Sequence, residues 1–264
     1  MAATATAKRT QRRTAKPPAA PMSVAGVMAA LEAAGSEQTR RTYARHGVTL
    51  PMFGVSFATL KALYKRIKLD HALALALWDT GNFDARNLAV KIVDPVRMTP
   101  ADLDRWAGDP TARMCSSYVA HVTAEGPHAH GCADRWLAAH DEAQRTMGWK
   151  LVGALAMLDE GLADAWFGDR LQAIERGIHA APNAEREAMN HAVIAIGCRN
   201  ELLRKAATAA AGRIGNVEVD HGDTACRTPD AVVGIDKAWG HAVAKNAPSP
   251  AAQERARESM RTRC

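Results

Sequence analysis

The sequence predicts an all-α protein whose helices stack as antiparallel pairs. Apolar residues recur at helical spacing nearly everywhere between residues 22 and 246, and short turns separate the periodic segments. A strand-like alternation occurs in one short run only, NVEVD at 216–220. With 264 residues, of which 47% are hydrophobic, the chain is long enough to bury a core as one large domain or two small ones.

The first strongly amphipathic helix is predicted in SFATLKALYKRIK, residues 56–68. Ser56 is expected to cap its amino terminus, and the apolar residues that follow lie on one face. The opposite face carries the lysines of this segment, Lys61, Lys65 and Lys68. The run DARNLAVKIVDP, residues 84–95, also has its apolar residues at helical spacing, and its helix is expected to end before Pro95.

The remaining helices are predicted from their ends as well as from their period. TPADLDRWAGD, residues 99–109, begins with Thr99 as a cap and Pro100 at the first helical position. Further helices are predicted over residues 111–124, 142–158, 164–180, 184–196, 200–214 and 229–245. The total of about nine to eleven helices suits either a HEAT-like α-α superhelix, whose helix pairs need not be similar in sequence, or a compact bundle.

Composition divides the chain into three parts. Residues 1–21 are expected to form a disordered basic arm, residues 22–246 the helical domain, and residues 247–264 a flexible tail. The arm has five basic residues and no acidic one, so the helical domain is close to neutral although the chain has a net charge of +6. Within the domain, residues 38–69 have seven basic residues and no acidic one. This local surplus of positive charge would bind the phosphates of a nucleic acid, unless acidic residues lie near it in space.

The cysteines and the hydropathy indicate the compartment. Five cysteines without a CxxC pair argue against a disulfide framework or a zinc ribbon. No run approaches the roughly 18 apolar residues of a membrane span, and the first residues lack the apolar block of a secretory signal. We therefore expect a soluble, cytoplasmic, monomeric protein with reduced thiols and no membrane, metal or cofactor.

Four chemically active side chains fall within seven positions of VDHGDTACRTPDA (219–231): Asp220, His221, Asp223 and Cys226. As a metal site, the run lacks the close ligand pairs that are typical of structural zinc. As a catalytic cluster, it would combine an Asp–His pair with a Cys nucleophile, but no oxyanion-hole signature accompanies it. The favoured interpretation is a structural or DNA-facing polar turn whose side chains bond the loop and whose Thr228 caps the last helix.

Three passages carry a family resemblance: GWKLVGALA (148–156), IHAAPNAEREAMNHAVIAIGCRNELL (178–203) and RIGNVEVDHGDTACRTPDA (213–231). They resemble the DNA alkylation repair proteins, whose best-known branch is the AlkD-type HEAT-like alkylpurine DNA glycosylases. The resemblance covers about residues 40–246. It implies a right-handed superhelix that holds double-stranded DNA on a concave basic face and, in active members, excises purines alkylated at N3 or N7. A carboxylate near the sugar would stabilise the developing oxocarbenium charge.

The resemblance also implies particular site residues. In the glycosylase branch the catalytic carboxylate follows a tryptophan by four residues, and this chain has Ala112 and Ser116 at those positions. Asp109 and Glu125 are the nearby carboxylates that we consider in its place. The DNA-binding surface is expected to include Lys61, Lys65, Lys68, Arg113, Arg145, Trp149, Lys150, Arg186 and Asn190. The alternatives are a core position for Trp149 and hydrogen bonds between helices for Arg186 and Asn190.

Two classes of function stay open. One is an enzyme that hydrolyses the N-glycosidic bond of alkylated purines, with Ser116 or a neighbouring residue in place of the usual aspartate. The other is a non-catalytic HEAT-like module that binds DNA or a protein partner on its concave face. An acidic side chain on that face would favour the enzyme.

Overall fold

The structure is a computed structural model that describes residues 22–109 and 116–263. The predictions about residues 1–21, Ala112 and Arg113 therefore lie outside the described residues. Two short 3-10 helices, Pro95–Arg97 and Ile178–Ala180, accompany the α-helices, and no strand occurs in these ranges. None of the described helices is long and apolar enough to cross a bilayer.

Fifteen α-helices follow one another in the described ranges. They are α1 (Val24–Ala33), α2 (Glu37–Arg45), α3 (Phe57–Ile67), α4 (His71–Asp79), α5 (Phe83–Ile92), α6 (Pro100–Ala107), α7 (Ser116–Ala124), α8 (Ala129–Leu137), α9 (Glu142–Leu158), α10 (Asp164–Gly177), α11 (Asn183–Gly197), α12 (Glu201–Ile214), α13 (Ala231–Ala244), α14 (Pro250–Arg255) and α15 (Met260–Arg263).

Most helix limits follow the signals in the sequence. Ser56 Oγ accepts a hydrogen bond from the Thr59 amide, and Thr99 Oγ1 accepts one from the Asp102 amide, both at 3.2 Å. The predicted starts of α3 and α6 are thus confirmed. Helix α9 has the predicted limits, and α12 ends before Gly215, whose φ of 73° lies in the left-handed region that favours glycine.

The segment between α12 and α13 differs from its prediction. The strand-like run 216–220 has no neighbouring strand in the part of the chain that the structure describes, and side chains of α11 bond its backbone instead. The prediction that Thr228 caps the last helix is wrong. Asp230 Oδ1 accepts the bond from the Val233 amide at 2.9 Å, and the Thr228 hydroxyl lies 3.1 Å from His221 Nε2.

The helices form an array of packed neighbours with α9 in the middle. Successive helices pack together, as α4 does with α5, α8 with α9 and α11 with α12, while α9 also contacts α7 and α11. One continuous cluster of buried apolar side chains runs from Val27 in α1 to Trp239 in α13. This arrangement confirms the predicted all-α architecture of stacked helix pairs.

Residues 249–263, which we call the strap, differ from the flexible tail that composition predicts. The strap contains α14, which packs against α9 and α13, and α15, which contacts α3, α5 and α7. Arg261 is only 5% exposed, and its guanidinium donates to the carbonyls of Val90, Lys91 and Val93 at 3.0–3.2 Å. Polar anchors of this kind hold a segment that has little apolar content of its own.

Candidate nucleic-acid interface

The described residues enclose a cleft of about 790 Å³. Its walls come from separate parts of the chain: residues 45–47 after α2, Ala107 and Asp109 after α6, residues 141–150 at the start of α9, residues 183–187 at the start of α11, and residues 220–226. The cleft therefore collects the amino-terminal ends of two long helices and the polar turn. Cavities of this size are the usual location of binding sites.

The described lining of the cleft carries more negative than positive charge. Its carboxylates are Asp109, Asp141, Glu142, Glu187 and Asp220, and its permanently charged cations are Arg45 and Lys150. Four of the carboxylates form no ion pair with any described residue, the exception being the one at position 109. The resemblance implied a basic concave face, so the charge of this cleft departs from that expectation.

Asp109 is held in the cleft wall by a buried arginine. Its Oδ2 lies 2.8 Å from an Nη of Arg86, which is itself buried. The Arg86 guanidinium lies 4.9 Å from the ring of Trp78, which stacks on Trp106 at 4.1 Å. Both tryptophans belong to the core and are absent from the cleft lining. Asp109 is thus a charged group with a fixed position, supported from behind by packed aromatic rings.

The second carboxylate that we considered, Glu125, lies outside the cleft lining. Its Oε2 accepts a hydrogen bond from Arg261 Nε at 2.7 Å, and its Oε1 accepts one from the Ser259 hydroxyl. Glu125 therefore anchors the strap. Ser116, which we expected at the position of the family carboxylate, is the first residue of α7.

Two of the expected DNA-binding residues in α9 bond a buried carboxylate instead of facing the cleft. Glu185 in α11 accepts hydrogen bonds from Arg145 Nε at 3.0 Å and from Trp149 Nε1 at 3.3 Å. The Arg145 guanidinium also donates to two carbonyls that precede α9. Trp149 is 6% exposed, so it occupies the core position that we gave as the alternative. Of the residues predicted in this helix, Lys150 lines the cleft.

The polar residues of α11 fasten the segment that follows α12. Arg186 donates to the carbonyls of Glu218 and Ala181, both at 2.9 Å, and Asn190 donates to the Pro229 carbonyl at 2.9 Å. Asn183 accepts from the Asp220 amide and donates to its carbonyl, each at 2.8 Å. Arg186 and Asn190 thus bond backbone carbonyls outside the α-helices, and their place on a DNA-binding surface stays a prediction.

The turn at 219–231 is stabilised by bonds among its own groups. Asp220 Oδ1 accepts from the Gly222 amide at 2.8 Å, at a glycine with a φ of 58°, and Thr224 donates to the His221 carbonyl at 2.9 Å. Asp223 is exposed and lies outside the lining, whereas His221 and Cys226 line the cleft. Among the described residues no group of three or more His, Cys, Asp or Glu side chains is placed to hold a metal ion.

One histidine beside the cleft, His191, has a lowered pKa. Desolvation lowers the pKa of His191 below its ordinary value, the neighbouring charges of Lys150 and His221 lower it further, and Glu187 opposes them. These four side chains, from α9, α11 and the turn, are therefore close enough to influence one another. His191 is held mainly neutral at physiological pH, so Lys150 is the permanent cation of this group.

The basic surplus of residues 38–69 is partly neutralised in space. Arg40 and Arg41 both bond Glu37 at the start of α2. Lys61 Nζ donates to the Arg263 carbonyl of the strap at 2.6 Å, while Lys65 and Lys68 are exposed at the end of α3. None of these three lysines lines the cleft.

Sequence reasoning missed three charged residues of the cleft, Asp141, Glu142 and Glu187, and included Arg45 only in the basic surplus of residues 38–69. Each lies near a helix end, but the residues come from different helices and no motif connects them. Only the packing of α2, α9 and α11 brings them to one surface.

The profile of a family described as DNA alkylation repair enzyme matches residues 27–224. A solved structure, described as a new family of proteins related to the HEAT-like repeat DNA glycosylases with affinity for branched DNA structures, is 31% identical with a TM-score of 0.76. That match covers 86% of this chain and 96% of the other.

Two curated relatives come from Listeria. The uncharacterized protein Lin0241 of Listeria innocua is 27% identical over 215 residues, and the uncharacterized protein Lmo0209 of Listeria monocytogenes is 27% identical over 214 residues. Each match covers 79% of this chain and 93% of the relative. The match to the solved structure confirms the HEAT-like fold predicted from the sequence.

Proposed function

The chain belongs to the DNA alkylation repair enzyme family, and we propose that it binds DNA across the cleft and prefers branched DNA to linear duplex. The observation that carries the proposal is the match along nearly the whole length of a protein with affinity for branched DNA structures. The cleft, which lies between the amino-terminal and carboxy-terminal parts of the array, is the surface that we assign to this activity.

The cations of the cleft would make the phosphate contacts. Arg45 lies on one wall, is exposed and has no ion pair with a described residue, and Lys150 lies on α9. No described side chain caps the start of helix α11, so its first amides can bind a phosphate near Ala184, which lines the cleft. Phosphate contacts of this kind position DNA without reading its sequence.

The carboxylates of the cleft provide a physical reason for a preference for branched DNA. A continuous duplex carries a phosphate about every 3.4 Å along each strand, and such a row would pass close to the cleft carboxylates. At a branch point the strands diverge and leave base faces between them. A cleft with cations at separated positions and carboxylates between them repels the continuous row more than the diverging strands.

The test measures binding to a four-way junction and to a linear duplex by fluorescence anisotropy between about 50 and about 200 mM salt. We expect tighter binding to the junction and a steep loss of affinity with salt. Arg45→Gln and Lys150→Gln should each weaken binding and reduce the salt slope by about one. The matched control is Arg97→Gln, which removes an exposed arginine outside the cleft lining. Equal affinity for the two DNAs would contradict the preference, and salt-independent binding would contradict the phosphate contacts.

Excision of alkylated purines is a second candidate function, and the charge of the cleft favours it. A purine alkylated at N3 or N7 is cationic, and five carboxylates against two cations in the described lining attract a cation. Asp109, held by Arg86, is the carboxylate of the cleft with the most defined position. In this reaction its charge would stabilise the oxocarbenium ion while the neutral base departs and water adds to the sugar carbon.

Release of methylated purines from methyl-damaged duplex DNA tests this second function. Release by the wild type that is lost in Asp109→Asn would support a glycosylase with a displaced carboxylate. Release gained only in Ser116→Asp, with Ser116→Ala as its control, would indicate a DNA-binding scaffold without the catalytic carboxylate. If none of these proteins releases base while the junction is bound, excision is excluded and the binding function stands.

A further inference from the structure

Four carboxylates of the cleft form no ion pair with a described residue. They are Asp141 and Glu142 at the start of α9, Glu187 in α11 and Asp220 in the turn. Like charges that share a concave surface repel each other, and the low-dielectric walls strengthen the effect. Binding of a cation would relieve this repulsion. The cleft therefore favours a ligand that carries several positive charges.

A buried hydroxyl in the same wall points to a ligand independently. Thr146 lies one helical turn after Glu142, lines the cleft and is 9% exposed. Its Oγ1 is buried and has no hydrogen-bond partner among the described residues. A buried polar group without a partner costs about 1–3 kcal/mol. A ligand that binds against this wall and shifts the groups that cover the hydroxyl would recover that loss.

The chain itself contains a segment with the complementary charge. Residues 1–21, the arm, have Lys8, Arg9, Arg12, Arg13 and Lys16 and no acidic residue. A chain of 21 residues spans up to about 70 Å when extended, whereas a domain of this size has a radius of gyration of about 18 Å. The arm, which ends where α1 begins, is long enough to reach the cleft. Because a tethered segment has an effective concentration of roughly millimolar, weak ion pairs suffice for occupancy.

We propose that the arm occupies the cleft of its own molecule through ion pairs with Asp141, Glu142, Glu187 and Asp220, and that DNA and the arm compete for the cleft. Occupancy by the arm is independent of the proposed function, while the competition rests on it. DNA phosphates repel the cleft carboxylates and attract the arm, so DNA binding displaces the arm from the cleft. The free protein is thereby protected against non-specific binding of weak polyanions.

Occupancy is tested on the full chain, without DNA, by zero-length carbodiimide cross-linking, which joins a lysine amine to a carboxylate with loss of water. Mass spectrometry should find Lys8 or Lys16 joined to the four cleft carboxylates. The cross-links should disappear at about 1 M salt, where the screening length falls to about 3 Å. They should also decrease several-fold in Glu142→Gln/Glu187→Gln but not in Glu218→Gln/Glu258→Gln, which changes two exposed carboxylates outside the lining.

Isotope-labelled and unlabelled protein are mixed before cross-linking to separate contacts within a molecule from contacts between molecules. Cross-links that join labelled to unlabelled chains, or that spread over all exposed carboxylates alike, would overturn the proposal. Because this experiment contains no DNA, its outcome does not depend on whether the proposed function holds.

Competition is tested by the affinity for junction DNA of the variant Arg9→Gln/Arg12→Gln/Arg13→Gln. We expect affinity to rise by about 3- to 10-fold, the factor by which a tethered competitor with two-thirds to nine-tenths occupancy lowers apparent affinity. The control, Arg176→Gln/Lys205→Gln/Lys245→Gln, removes the same charge from exposed positions outside the cleft lining. A fall in affinity that matches or exceeds the control would overturn the competition and show that the arm binds DNA directly.

Discussion

At the scale of single residues, buried polar groups fix the loop that leads to the cleft. Asp84 is fully buried, and its carboxylate accepts hydrogen bonds from the amides of Phe53, Gly54 and Val55 at 2.6, 3.1 and 2.9 Å. The Tyr43 hydroxyl donates to the Val55 carbonyl at 2.8 Å. These bonds hold the chain between α2 and α3 against α5, and so position the residues after α2 that form one wall of the cleft.

Tyr43 should make stability depend on alkaline pH. Burial raises the pKa of Tyr43 from its ordinary value of 10.0 to about 12, with a further contribution from the charge of Asp84. The unfolded chain therefore loses the Tyr43 hydroxyl proton at lower pH than the folded protein does. The stabilising effect of the protonated hydroxyl is complete below pH 10 and is lost as pH rises toward 12. The shift corresponds to about 2–3 kcal/mol when the loss is complete.

Chemical unfolding of wild type and Tyr43→Phe, measured from about pH 9 to about pH 11.5, isolates this contribution. At neutral pH the variant should be less stable by about 1 kcal/mol, because it lacks the bond to Val55. At alkaline pH the difference should shrink and then reverse, since only the wild type carries the ionisable group. Parallel stability curves over the whole range would show that Tyr43 has an ordinary pKa.

At the scale of elements, the strap depends on one arginine. Arg261 bonds Glu125 and three carbonyls at the end of α5, and Lys91 Nζ donates to the Arg261 carbonyl at 2.7 Å. In Arg261→Met these acceptors lose their donor, and we expect a loss of about 3 kcal/mol in the free energy of unfolding. Arg257→Met is the matched control, because Arg257 is exposed and lies 3.9 Å from Glu254. It should change stability by less than about 0.5 kcal/mol.

Both variants are measured by urea unfolding. An Arg261→Met protein as stable as Arg257→Met would mean that the anchoring of α15 does not contribute to the free energy of unfolding.

The segment between α12 and α13 depends on side chains of α11 in the same way. The Asp220 amide donates to Asn183 Oδ1, so we expect Asn183→Ala to accelerate hydrogen exchange at Asp220 by about 10-fold, which corresponds to about 1.4 kcal/mol of lost protection. Asn216→Ala, which changes an exposed residue of the same segment, serves as the control. Unchanged exchange at Asp220 in Asn183→Ala would show that the turn is held by its internal bonds alone.

The elements also show what the sequence can and cannot predict. Helices such as α3, α6 and α9 were predictable because period and caps are local signals. The strap was not, because Arg261 and Lys91 are 170 residues apart and their bond leaves no local pattern. For the same reason Arg145 and Trp149 were expected on a DNA-binding surface: their partner, Glu185, lies on another helix. Of the charged and polar residues that line the cleft, only those of the turn, Asp109 and Lys150 were predicted as site residues.

At the scale of the whole molecule, the strap changes the connectivity of a repeat-like array. Stacked helix pairs contact only their neighbours, so the ends of such arrays can unfold separately. In this protein the strap leaves α13, crosses α9 and reaches α3, α5 and α7. It therefore connects the last helices directly to the first. Contacts between distant parts of the chain couple their unfolding.

We therefore expect the two ends of the wild-type protein to unfold together and to separate when the strap is released. Trp78 in α4 and Trp239 in α13 are buried members of the apolar cluster that come from an early and a late helix, and 5-fluorotryptophan gives each a separate fluorine NMR signal. In wild type both signals should disappear at the same urea concentration. In Arg261→Met their midpoints should differ, because the amino-terminal helices lose their anchor to the carboxy-terminal ones, while Arg257→Met should keep one midpoint. A single midpoint in Arg261→Met would mean that the continuous core, and not the strap, makes the array cooperative.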